Sequence, residues 1–111
     1  MKEILKTTDI IKDGNEYRIV INEELLNKKI DEILSLIHLG NKDEYIVPNN
    51  ENLEEELMLR IIVEIVKNKL DMEVNEPFIF TLTLTNTIYR LVITKIEADS
   101  KTKYMYGLIL R

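Results

Sequence analysis

Apolar positions recur along the chain with two periods, and the change from one period to the other marks the elements. Near the start, Asp9-Ile10-Ile11-Lys12 and Glu16-Tyr17-Arg18-Ile19-Val20-Ile21 flank Asp13-Gly14-Asn15. Tyr17, Ile19 and Ile21 alternate with Glu16, Arg18 and Val20, the period of a strand with one wetter face. The glycine between them supplies the positive φ of a tight reversal, so the segment predicts a hairpin. Residues before Asp9 are read as an extension of its first strand.

The period then lengthens. Leu26, Ile30, Ile33, Leu34 and Ile37 fall within about 100° of arc at helical spacing. Asn22 is a good N-cap, Glu23 and Glu24 suit the positive end of the macrodipole, and Gly40 suits the position after the last turn. A one-sided helix is expected over 23–39. A polar connector follows over 41–52, in which Pro48 extends Val47 and Tyr45-Ile46-Val47 forms a short strand or a plug over the core. A second helix is expected over 53–70, opened by a capping box of Asn52 with Glu55. Leu57, Met58, Leu59, Ile61, Ile62, Val63, Ile65 and Val66 cover about 240° of its wheel, leaving a stripe of Glu56, Arg60, Glu64 and Lys67. A sheet and one helix cannot cover so wide an arc. The remaining cover is expected from the 41–52 connector or from a second chain, which would place Leu59, Val63 and Val66 in a dimer seam.

Alternation returns in the last third. Phe78, Phe80, Leu82 and Leu84 oppose Ile79, Thr81, Thr83 and Thr85. Ile88 to Glu97 is apolar on both faces at Leu91-Val92-Ile93, as in a central strand. Lys103 to Leu110 alternates again through Tyr104, Tyr106 and Leu108. The order ββααβββ predicts an α+β fold: one antiparallel sheet of about five strands with two helices packed on one face. Repeats, linkers and low-complexity tracts are not found, so residues 1–111 read as a single domain.

Composition narrows the function. With 45% hydrophobic and 32% charged residues the chain is globular, not disordered. It has no cysteine, which excludes disulfides and thiolate metal sites. The N-terminus lacks the apolar core of a signal peptide, and no run of apolar residues reaches a membrane span, so a cytoplasmic protein without membrane contact is expected. Ile, Lys and Asn are abundant and alanine is nearly absent, a bias associated with AT-rich genomes. The net charge of −5 is uneven: residues 22–56 hold ten acids against three bases, leaving a slight positive excess elsewhere. So acidic a stretch repels phosphate and disfavours direct nucleic-acid binding.

Candidate chemistry is sparse. Asp31, Ser35 and His38 share a flank of the first helix, but seven residues separate the acid and the imidazole by about 10.5 Å of rise, too far for a triad. Three scattered glycines (Gly14, Gly40, Gly107) exclude a phosphate loop. The tyrosines beside Arg90 and Lys103 read as half-buried packing instead of a base-stacking platform. Neither a metal nor a cofactor is implied, and the chain reads as non-enzymatic. Asp43, Glu44, Glu51, Glu54 and Glu55, presented by the connector and the helix start, are the candidate anions for a partner with a basic surface. In size, acidity and composition the chain resembles the inhibitors that phages use against host defence, anti-CRISPR proteins among them, and also small acidic dimeric chaperones. The acidic segment and the lack of chemistry point to an inhibitor or adaptor docking on a basic nucleic-acid-handling protein, and the wide apolar arc of the second helix points to a homodimeric structural or chaperone-like protein as the second reading. A small-ligand carrier or an enzyme with a site not visible in sequence is the third.

Overall fold

The computed structural model describes residues 2–38 and 53–109, with the side chains of 35–38 outside that set. Three helices and five strands follow in the order α1 (Lys2–Thr7), β1 (Asp9–Asp13), β2 (Glu16–Val20), α2 (Glu23–His38), α3 (Leu53–Lys69), β3 (Pro77–Leu84), β4 (Thr87–Ala98) and β5 (Lys101–Leu108). The strands form one sheet in sequence order, β1-β2-β3-β4-β5. The α+β class and the two long helices agree with the sequence pattern. The expected connector structure over 41–52, including Tyr45-Ile46-Val47, lies outside the described residues.

Two expectations are corrected. The N-terminal segment is a helix and does not extend β1. Its residues are good helix formers, and Ile4 is buried where α1 meets α2 and α3. The buried Thr8 hydroxyl donates to the Ile4 carbonyl and closes the last turn before β1 begins. The sheet is also mixed, because β2 and β3 run parallel, Tyr17 beside Phe80 and Ile19 beside Leu82, while every other pair is antiparallel. The connection from β2 to β3 carries both long helices and so is long enough for the crossover that a parallel pair needs. Tyr17 packs on Phe78 and Phe80 across this junction, with ring centroids 5.8 and 5.5 Å apart.

The turns follow backbone chemistry. Gly14 has φ 65° in the two-residue loop between β1 and β2. Thr85 has φ 53° in the β3–β4 loop, and Asp99 and Ser100 both have positive φ in the β4–β5 loop. The last matches the hairpin turn that requires two left-handed residues.

The sheet buries one face. Ile19, Phe80, Leu82, Leu91 and Ile93 share that face and join Leu26 and Ile30 of α2 in the core. The wide apolar arc of α3 is covered within one chain: Leu59, Val63 and Val66 are 4%, 6% and 0% exposed. Among the described elements the sheet, α2 and α1 all pack against α3. These are the three residues expected in a dimer seam, and they are buried within the single chain. The polar stripe of α3 is used as well. Glu56 pairs with Arg60 at 3.2 Å and accepts a hydrogen bond from the Tyr106 hydroxyl of β5 at 2.9 Å, while the Lys67 ammonium lies 5.9 Å from the centre of the Tyr104 ring.

Candidate docking surface

Both long helices begin with acids. Asn22 caps α2, its side-chain oxygen accepting from the Leu25 amide at 3.2 Å, and Glu23 and Glu24 follow in the first turn. Glu54, Glu55 and Glu56 fill the first turn of α3. Each carboxylate stands at the positive end of a helix dipole, which is the local reason for its place.

The fold brings these two helix starts to the tip of the β3–β4 hairpin and leaves a groove of about 290 Å³ between them. Glu23, Glu54 and Glu55 line it, Ile30, Met58, Leu84 and Tyr89 provide apolar surface, and among the described residues no basic side chain lines it. Thr85 fastens the hairpin to α2, its hydroxyl lying 3.0 and 3.1 Å from the two Glu23 carboxylate oxygens. A β-branched residue is an outlier at the positive φ that Thr85 adopts, so this contact sits on a strained turn. Chemically the groove combines hydrogen-bond-accepting anions with apolar walls. Such a surface suits a lysine or arginine, whose stem is apolar and whose head is cationic.

Of the acids singled out in the sequence, Glu54 is exposed and Glu55 half-buried, both on this groove. Asp43, Glu44 and Glu51 lie outside the described residues. Glu23, Thr85 and Tyr89 join the groove without having been singled out for partner binding. The signal available for Thr85 is a two-residue Thr-Asn loop between alternating strands, a position that normally calls for glycine. Glu23 joins Glu54 only through tertiary packing.

Other titratable groups are structural in their contacts. Burial pushes the Tyr106 phenol above its ordinary range, and the hydrogen bond and charge of Glu56 push it further, against an opposing pull from Arg60. Glu73, hydrogen-bonded to Glu76 in the connector between α3 and β3, holds the Glu76 carboxyl above the usual carboxylate range. Asp31 and His38 both lie on α2, and the side chain of His38 is outside the described set. Among the described residues no three acids, histidines or cysteines gather as a metal cluster, and no helix is long and apolar enough to cross a membrane.

Comparison with protein-family models, curated proteins and solved structures finds no match to this chain.

Proposed function

We propose that this chain is a non-enzymatic protein-binding module, an inhibitor or adaptor that docks on the basic surface of a nucleic-acid-handling protein. The observation that carries the reading is the groove between the two helix starts and the β3–β4 turn. It presents Glu23, Glu54 and Glu55 beside apolar walls, with no lining base among the described residues. Carboxylates held at fixed positions occupy sites where a basic cleft would otherwise hold phosphate, so an acidic protein competes with nucleic acid for the same cations. Such contacts act mainly on association and weaken as salt screens them.

The experiment compares capture from a host lysate at low and at high salt by the wild-type chain and by a Glu23→Gln, Glu54→Gln, Glu55→Gln variant whose fold is verified by circular dichroism. The expected result is a partner held by the wild type at low salt, released by salt and lost by the variant. Identical captured sets from both proteins would reject the groove as the docking site, and absence of any salt-sensitive partner would reject the reading itself.

A further inference from the structure

β1 and β5 are the two edges of the sheet. An edge strand carries backbone groups that its own sheet leaves unpaired, and proteins blunt such edges with charge, proline, bulges or brevity. β1 is blunted: it has five residues, opens and closes on Asp9 and Asp13, and holds Lys12 between them. β5 is not. It runs for eight residues without proline, its register with β4 is unbroken from Lys101 to Leu108, and Tyr104-Met105-Tyr106-Gly107-Leu108 is uncharged.

The register also fixes which backbone groups face outward. The Ile109 amide donates to the Arg90 carbonyl at 2.8 Å, so this opposed pair is of the hydrogen-bonded kind. The two kinds of pair alternate along an antiparallel ladder. Lys101, Lys103, Met105 and Gly107 therefore turn their backbone groups toward β4, while Thr102, Tyr104, Tyr106 and Leu108 turn theirs away from the sheet.

We infer that β5 pairs with β5 of a second copy of this chain, antiparallel and centred on Met105, so that the two sheets become one. Tyr104 then lies opposite the partner's Tyr106, and Thr102 opposite the partner's Leu108. Each outward residue gives and receives a hydrogen bond, about eight in all. A two-fold contact needs outward residues placed evenly about one position, and 102–108 is so placed about Met105. Met105 is 60% exposed, the most of any large apolar residue described, and it meets its own copy at the axis.

Charge selects the same occupant. Lys101 and Lys103 fall opposite the partner's Ile109 and the partner's Gly107, so lysine never opposes lysine. On the helix side, Glu56 and Lys67 reach β5 through Tyr106 and Tyr104, so the polar stripe of α3 borders the edge. The stripe alternates in sign through Glu56, Arg60, Glu64 and Lys67. The two-fold reverses it across the seam, setting Glu56 toward the partner's Lys67 and Arg60 toward the partner's Glu64. Arg60, Glu64 and Lys67 keep 41%, 56% and 49% of their side chains exposed, free to meet that reversed stripe. A uniformly acidic or basic strand would meet like charge at half of these positions, and a second copy meets it at none. The groove at the helix starts has no β5 residue in its lining and takes no part.

Sedimentation equilibrium from low to high micromolar concentration tests the inference with the wild type, Met105→Lys and Met105→Glu. The wild type is expected to dimerise reversibly. Each variant alone sets like charges against each other at the axis and should raise the dissociation constant by roughly tenfold or more. An equimolar mixture of the two variants should dimerise again. Hydrogen exchange gives a second readout: protection of the Thr102, Tyr104, Tyr106 and Leu108 amides should rise with wild-type concentration. Melting of the dilute variants should stay near wild type, since Met105 is exposed. A wild type that stays monomeric overturns the inference, as does a dimer whose four amides stay unprotected or one that neither variant weakens. Failure of the mixture to restore the dimer refutes the axis at Met105.

Discussion

Thr85 shows what a single backbone position contributes. It holds φ 53°, which a β-branched side chain adopts at a cost, while its hydroxyl reaches Glu23. Thr85→Gly removes the steric cost and an exposed hydrogen bond together. Relief of strain outweighs the bond and the added chain entropy, so the variant should be more stable by about 0.5–1 kcal/mol, read as a higher denaturation midpoint. Tyr106 works in the opposite sense. Losing its hydroxyl removes the hydrogen bond to Glu56 and keeps the Glu56–Arg60 pair, and Tyr106→Phe should cost about 0.5–1.5 kcal/mol. Its raised pKa gives the sign of the pH effect. The folded state holds the phenolic proton more tightly, so this stability is complete below the unfolded tyrosine pKa and is lost as pH rises through the folded one. In a spectrophotometric titration, Tyr106→Phe should remove a phenol that ionises above the ordinary range. Glu76 follows the same rule in the acid range. Its raised pKa means that stability is greatest with the proton bound and falls as pH rises through the carboxylate range. Glu76→Gln should therefore melt higher than wild type at neutral pH, and the difference should close as the solution is acidified.

At the scale of elements, the short helix α1 has the largest effect for its length. It contributes one buried side chain, Ile4, to a contact with both long helices, and it covers part of the wide arc of α3. Ile4→Ala should cost about 2–4 kcal/mol by lost burial and a cavity, measured by urea denaturation. The role of α1 was not legible in the sequence because six residues hold too few apolar positions to show a period. The long helices were legible from capping, first-turn acids and spacing: α2 is helical over all the described part of its expected span, and α3 ends at Lys69, one residue before the expected end. The parallel β2–β3 pair was not legible, since alternation of apolar and polar residues is identical whichever way the neighbouring strand runs. β4 is internal, as its apolar middle suggested, but Val92 on its second face has no helix over it.

Across the whole molecule, the groove at the helix starts and the β5 edge share no residue and differ in physics. The groove depends on carboxylates, and the edge depends first on backbone hydrogen bonds. Their responses to salt should therefore diverge: raising ionic strength releases a partner held by the groove, while the dimer persists on its backbone ladder. Met105→Glu should likewise leave partner capture by the monomer unchanged, and the Glu23, Glu54 and Glu55 substitutions should leave the sedimentation profile unchanged. Coupling between the two sets would show that one surface serves both purposes.

The sequence by itself determined the class of the fold, the two long helices, the hairpins and the concentration of acid between residues 22 and 56. These are local properties, written in periodicity, caps and charge, and they need no knowledge of what lies across the core. Tertiary structure alone decided that α1 packs on α3, that β3 runs parallel to β2 and that Glu23 and Glu54 share a groove. Each of these is a meeting of residues far apart in the chain or a choice of direction, and the hydrophobic pattern is blind to both.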